Sequence, residues 1–240
     1  SVGMSTIAGT VMVLYSVVLE PVIGNALGHI LTASVISAPA AIMLALIMVP
    51  TTSSVSADDI ADDGKEFGPK YHTLMDAIAK GTSDGVALMV NVGAMLLVLV
   101  ALVALFNSFL SIIPVPGSEP ITLQRLFGYL FAPVVWFMGV PWSEALAAGS
   151  LMGIKTVLNE FLAFLAMAQL PADTLSEKSK IIMTYAICGF ANFGSLGIMI
   201  AGLSGMCAER ASEIVSLAPK SIFSGTLATC MTGSIAGLLY

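Results

Sequence analysis

The stretch Gly153–Phe164 places polar side chains between two apolar blocks. Lys155, Asn159 and Glu160 lie in a chain that is 57% hydrophobic and only 10% charged, so we expect them at membrane depth. A charged group there costs at least about 2.5–3.5 kcal/mol, and it usually marks a functional site facing a polar cavity. The alternative is a Lys–Glu or Asn–carbonyl contact that only holds helices together.

A continuous helix through this stretch would carry two polar faces. At about 100° per residue, Thr156 and Glu160 share one face, while Lys155 and Asn159 share an adjacent one. Such a helix must face water, an ion, a substrate or another polar segment. We therefore expect the rest of the chain to be organised around it.

Long uncharged runs and a mean hydropathy of +0.96 exclude a soluble globular protein. Each run reaches or exceeds the roughly 20 residues that cross a bilayer core. The runs are Pro21–Ala57, Gly85–Ser118, Ile181–Ala208 and Ser221–Tyr240. The predicted fold class is an all-α polytopic protein embedded in a lipid bilayer. The net charge of −6 argues against nucleic acid as a partner.

The predicted organisation alternates apolar spans with breaks and one polar loop. In chain order we expect two transmembrane helices in 1–50 (the first unwound), an acidic cytoplasmic loop and interfacial helix in 51–83, a long transmembrane helix in 84–113, a re-entrant hairpin in 121–170, a broken transmembrane helix in 179–208 and a last transmembrane helix in 219–240. With the loop in the cytoplasm, five Lys and Arg residues lie on that side against three opposite.

The hairpin is predicted because one apolar piece is short. Leu126–Val140 has only 15 residues, with Pro133 in its middle, so two full crossings fit poorly. Trp136 and Trp142 suit anchoring at a membrane interface.

Two apolar segments share a similar interruption. Gly3–Thr10 and Gly189–Leu196 are both rich in glycine and polar residues. A pair of interrupted segments in two halves of a membrane chain indicates a transporter site built from inverted repeats. A channel filter or a structural kink remains an alternative.

Several motifs occur in one order along essentially the whole chain. They are Gly-x-x-Thr-Ile-Ala-Gly-x-Val (Gly3–Val11), Ala-Ser-Val-Ile-Ser-Ala-Pro (Ala33–Pro39), Val-Asn-Val-Gly-Ala-Met-Leu (Val90–Leu96), Leu-Phe-Ala-Pro with Gly-Val-Pro-Trp (Leu130–Trp142), Gly-x-Lys-Thr-Val-x-Asn-Glu-Phe (Gly153–Phe161), Leu-Ser-Glu-Lys-Ser (Leu175–Ser179) and Cys-Gly-Phe-Ala-Asn-x-x-Ser (Cys188–Ser195). Together they resemble the concentrative nucleoside transporter family. The Asn-Glu-Phe and Gly-Phe-Ala-Asn motifs are its most specific part.

The resemblance implies which residues would bind substrate and ion. Matching motif positions assign ribose hydroxyls to Glu160, Asn192 and Ser195, and the nucleoside pocket to Phe190 and Val11. They also assign Na⁺ to the Thr6 hydroxyl and to carbonyls at Thr6 and Ile7. Thr6 stands where serine is frequent in the family, and it keeps the hydroxyl oxygen.

The resemblance further implies an ion-coupled symporter that takes up nucleosides such as uridine as a homotrimer. The family's first re-entrant hairpin, which reads the base, should precede Ser1, so we expect these 240 residues to be the C-terminal part of a longer protein. Sodium is the expected coupling ion, with H⁺ as the alternative. A bacterial inner membrane is the expected location.

Other classes of function remain as alternatives. The sequence offers no pairing of a nucleophile with a base and no Gly-rich phosphate-binding loop, so we do not expect an enzyme. A channel or a structural membrane subunit is the competing class. In that case Lys155 and Glu160 would simply pair with each other.

Overall fold

The computed structural model describes residues 1–50, 73–112 and 121–240, which form helices and the turns between them. Within these ranges the predicted all-helical fold class is confirmed. The acidic part of the predicted loop, residues 51–72, and the last residue of the predicted long span, residue 113, lie outside the described residues.

The first apolar segment is a broken helix. Helix α1 (Val2–Ser5) ends at Thr6, whose backbone is extended, and α2 (Gly9–Leu19) starts after Ala8, which is also extended. Helix α3 (Ala26–Met48) follows a short turn that contains Asn25 in the left-handed region. The hydroxyls of α3 and α1 support the break, since Ser34 accepts from the Ile7 N–H at 3.3 Å.

Helix α4 (Leu74–Leu110) is one continuous helix of 37 residues, about 55 Å long. Thr73 starts it by accepting a hydrogen bond from the Asp76 N–H. The separate interfacial helix expected up to residue 83 is therefore wrong as an element, because its residues are the first turns of α4. The predicted long span of 84–113 falls within α4 as far as Leu110, and its passage through the bilayer stays a prediction.

A tight helical hairpin follows. Helix α5 (Leu123–Phe137) and helix α6 (Trp142–Val157) are bent by 120° at the four residues between them. Gly139 has a φ of 104° in this turn, and the Val140 N–H reaches back to the Val135 carbonyl, which is a common helix ending. A Cβ on Gly149 would lie 2.5 Å from the Gly128 carbonyl oxygen, so the two arms pack backbone against backbone.

The C-terminal part contains two more breaks. Helix α7 (Glu160–Gln169) follows α6 after two residues, and α8 (Glu177–Ile187) is separated from α9 (Phe193–Met206) by 188–192. A 3₁₀ turn (Ala208–Arg210) then leads into α10 (Ala211–Leu239). The break expected in the segment 179–208 is thus observed, and the one before α7 is new.

The two interruptions noted in the sequence cross each other. A Cβ on Gly189 would stand 2.9 Å from the Ser5 carbonyl oxygen and 2.8 Å from a methyl carbon of Thr229. On α10, Gly225 similarly leaves room for Met4. Small residues at such crossings allow the close helix packing that is typical of membrane proteins.

The outer surface of the described residues is strongly apolar. By length and composition, three stretches of these residues could cross a membrane: Val2–Leu19 through its break, Ala26–Met48 and Ala211–Leu239. The bent pair α5–α6 would count as a fourth if it forms one span. Val17, Leu238 and Phe137 are among the large apolar side chains left exposed on these helices. Such a surface is expected to face lipid.

Candidate functional site

The breaks surround a cavity of about 700 Å³. All five residues that the sequence assigned to substrate line it: Val11, Glu160, Phe190, Asn192 and Ser195. Tyr15, Asn159 and two residues of α4, Gly85 and Met89, also line its walls. The structure therefore brings residues from α2, α4, α7 and α9 to one place.

Glu160 is the charged group of this cavity. It is the first residue of α7, where the N-terminal end of the helix dipole stabilises a negative charge. Only 3% of the residue is exposed. The Tyr15 hydroxyl donates to Oε1 at 2.6 Å, and the Asn192 amide Nδ2 donates to Oε2 at 3.0 Å. Among the described residues each carboxylate oxygen thus has one side-chain donor, and a carboxylate oxygen accepts more than one hydrogen bond.

Two asparagines cap the helices that meet at Glu160. Asn159 caps α7, which Glu160 begins, and Asn192 caps α9. Asn159 Oδ1 accepts from the Leu162 N–H at 2.8 Å, and Asn192 Oδ1 accepts from the Ser195 N–H at 2.7 Å. Both are side-chain caps at the first turn of a helix. Because the Asn192 side-chain oxygen accepts the capping hydrogen bond, its amide nitrogen points to Glu160. The cap of α9 and the carboxylate of α7 are therefore positioned together.

The continuous helix expected through Gly153–Phe164 is wrong. Helix α6 ends at Val157, and Asn159 is extended, with φ −166° and ψ 169°. Lys155 and Asn159 therefore do not share a helix face, and neither do Thr156 and Glu160. The sequence carries a signal for the break, since an Asn followed by an acidic residue is a typical helix start.

Lys155 does not pair with Glu160. Among the described residues its ammonium forms no ion pair with any carboxylate. It is fully buried and donates to the Ala186 carbonyl at 2.8 Å and to the Thr229 hydroxyl at 2.9 Å. Lys155 and Glu160 therefore form no direct salt bridge, and the carboxylate remains directed at the cavity.

Thr6 and Ile7 lie in the break before α2 and do not line the cavity. The Thr6 hydroxyl donates to the Val2 carbonyl at 3.0 Å, so its oxygen keeps acceptor capacity. No hydrogen bond from the described residues reaches the carbonyl oxygen of Thr6 or Ile7. Carbonyl oxygens without a hydrogen-bond partner, together with a hydroxyl oxygen, are the ligands that unwound transporter helices offer to Na⁺. The residues present fit such an ion.

Sequence reasoning missed one member of the site, Tyr15. It lies on α2, one turn beyond Val11, and is 3% exposed. An aromatic residue in an apolar helix carries no signal of its own, because only the three-dimensional arrangement brings its hydroxyl to Glu160.

Broken helices around a buried carboxylate, beside a re-entrant hairpin, define a polytopic membrane protein of the inverted-repeat transporter type. Residues 29–237 match the sequence profile of the family described as "Na+ dependent nucleoside transporter C-terminus". The chain belongs to this concentrative nucleoside transporter family.

Similar proteins come from bacteria and animals. The chain is 38% identical over 240 residues to the uncharacterized transporter YutK of Bacillus subtilis, covering 98% of this chain and 57% of that protein. It is 38% identical over 242 residues to the nucleoside permease NupC of Helicobacter pylori, covering 99% and 56%. Human solute carrier family 28 member 3 is 34% identical over 252 residues, covering 99% and 36%.

The fold is also similar to a solved structure of CNTnw in an inward-facing, substrate-bound state. That match has a TM-score of 0.80 and 36% identity, and it covers 98% of this chain and 55% of that one. The chain spans a little over half the length of the bacterial relatives it matches. These relatives are described as transporters or permeases, which fits the expectation of a non-enzyme.

Proposed function

We propose that the intact protein takes up nucleosides across a membrane by symport with sodium. The position of Glu160 carries this proposal. A buried carboxylate that opens on a cavity and retains acceptor capacity on both oxygens suits a ligand with two adjacent hydroxyls, such as ribose. Leaving such a group without a ligand is unfavourable, so substrate binding satisfies it.

The rest of the cavity suits the remainder of a nucleoside. Phe190 and Val11 offer apolar surface, while Ser195 lies beside the asparagine that contacts Glu160. The family's name and the permease relatives support a nucleoside substrate. Uridine is the proposed test substrate, and the choice between purine and pyrimidine is left to the remainder of the intact protein.

Sodium is the proposed coupling ion. The open carbonyls of Thr6 and Ile7 and the Thr6 hydroxyl support it, as does the sodium dependence in the family's description. Proton coupling is the alternative within the same function. We also propose a homotrimer in the bacterial inner membrane, with the apolar length of α4 available for packing.

Uptake of radiolabelled uridine into proteoliposomes tests the proposal. The intact protein, with any residues that precede Ser1, is compared with Glu160→Gln under imposed sodium or proton gradients. Glu20→Gln, which alters an exposed carboxylate after α2, is the matched control. We expect saturable, sodium-driven uptake that is lost in Glu160→Gln and kept in Glu20→Gln.

Other outcomes separate the alternatives. Proton-driven uptake would keep the substrate and replace the ion. No uptake under either gradient, from inserted and folded protein, would overturn the nucleoside proposal. Uptake that does not saturate would favour a channel.

A further inference from the structure

Among the described residues, Tyr15 is the side-chain donor to Glu160 that no sequence motif indicates. Its hydroxyl donates to Glu160 Oε1 at 2.6 Å from inside the cavity wall. We propose that Tyr15 is a positioning residue that orients the carboxylate to bind two adjacent hydroxyls at once, and so sets the preference for ribose over deoxyribose. The inference rests on the proposed function and deepens it.

The two donors to Glu160 act on different oxygens. Tyr15 holds Oε1 and Asn192 holds Oε2, and they approach from different helices, α2 and the start of α9. A carboxylate that is held at both oxygens has a fixed plane, although its terminal torsion is otherwise soft. Each oxygen can still accept another donor, so the fixed plane presents one acceptor position per oxygen to a vicinal diol.

The ring of Tyr15 is itself held firmly. Its centroid lies 6.1 Å from the Phe161 ring, which it stacks on, and 5.3 Å from the tilted Phe164 ring. Both phenylalanines belong to α7, the helix that Glu160 begins. A hydroxyl on a packed ring has a defined position, which is what a supporting residue requires. Removing only the hydroxyl should leave this packing in place.

The loss of the hydroxyl should affect ligands unequally. Without the Tyr15 hydroxyl, Asn192 is the remaining side-chain donor to Glu160 among the described residues, and the plane of the carboxylate is less firmly fixed. A ribonucleoside that donates to both carboxylate oxygens of Glu160 then forms two hydrogen bonds of poorer geometry. A deoxynucleoside that uses one oxygen loses less. The signature of positioning is therefore a changed ratio between ligands, which general loss of stability would not produce.

The test compares three substrates in two variants of the intact protein in proteoliposomes. KM values for uridine, 2′-deoxyuridine and 3′-deoxyuridine are measured for wild type and Tyr15→Phe. Tyr185→Phe is the matched control, because Tyr185 is also buried (7% exposed) but contacts His29 outside the cavity. We expect the uridine KM of Tyr15→Phe to rise about tenfold, with rises of about threefold or less for the deoxynucleosides. The maximal rate per inserted protein should change little.

Several results would overturn the inference. Equal changes of KM for all three substrates, or no change, would leave Tyr15 a packing residue. The same altered ratio in Tyr185→Phe would point to a general effect on the fold. If wild type shows no saturable uridine uptake, the proposed function fails and the inference fails with it. If wild type transports normally and the ratio is unchanged, only the role of Tyr15 is lost.

Discussion

The ammonium of Lys155 lies 2.8 Å from the carbonyl oxygen of Ala186 and so joins the ends of two helices. Lys155 is in the last turn of α6, and Ala186 is in the last turn of α8. The C-terminal ends of both helices carry partial negative charge, which favours a cation between them. Lys155 therefore stabilises the backbone that leads into the break before Asn192.

Lys155→Met should lower the thermal stability of the protein. The change leaves the buried Ala186 carbonyl without its donor, at about 1–3 kcal/mol, while the Thr229 hydroxyl keeps its hydrogen bond to the Thr226 carbonyl. Relief from burying a charge offsets part of this loss. The midpoint of thermal unfolding in detergent measures the net effect. Lys178→Met, at an exposed position on α8, should leave the midpoint unchanged. A midpoint at or above that of wild type would show that burial of the charge dominates.

Gly189→Ala should destabilise the crossing of the two breaks. The new Cβ would meet backbone oxygen of Ser5 at 2.9 Å, and backbone yields less readily than a flexible side chain. Overpacking of this kind costs typically about 1–3 kcal/mol. The matched change Gly202→Ala meets no atom within 4 Å and favours the helix, so it should be neutral or stabilising. The midpoints of thermal unfolding of the two variants test this expectation. Equal midpoints would contradict close packing at the crossing of the two breaks.

Replacements of Asn192 should separate its two roles. Ser and Asp both cap a helix well, so Asn192→Ser and Asn192→Asp should keep α9 intact. Each loses the donor to Glu160, and the aspartate also sets a second carboxylate against Oε2. Uridine KM should therefore rise in both variants, and much more in Asn192→Asp, because like charges repel at this distance. Equal KM values for the two variants would mean that charge at Glu160 is unimportant.

Thr6→Ala should weaken sodium coupling. If the Thr6 hydroxyl is an ion ligand, its removal should raise the sodium concentration for half-maximal uridine uptake about tenfold. Thr6→Ser keeps the oxygen and should behave as wild type. Thr32→Ala, which removes an exposed hydroxyl from α3, is the control. An unchanged sodium dependence in Thr6→Ala would remove Thr6 from the ion site.

Much of the helical pattern could be predicted from hydropathy and from Gly and polar residues at unusual depth. These signals indicated the interruptions at Thr6 and Gly189 because both act locally on the backbone. The motifs also selected five residues, from three separate motifs, that the fold then brings to one cavity. Their role in binding stays a prediction.

The rest depends on contacts that are distant in sequence. Because the sequence is apolar up to Leu158, the weaker helix-start signal of Asn159 did not indicate the break before α7, and this break was not predicted. The partners of Lys155 are a backbone carbonyl and a threonine, which no pattern in the chain connects with it. Tyr15 meets Glu160 only after α2 packs against α7.

The crossing at Gly189 has a consequence for biosynthesis. Part of the surface that receives α1 is made by Gly189, Gly225 and Thr229, which all lie far beyond α1 in the sequence. A chain that is synthesised from its N-terminus must hold α1 without these partners until α10 has entered the membrane. The packing around the break before α2 is therefore completed only when α10 is present, and a chain stopped before Gly225 leaves this packing unfinished.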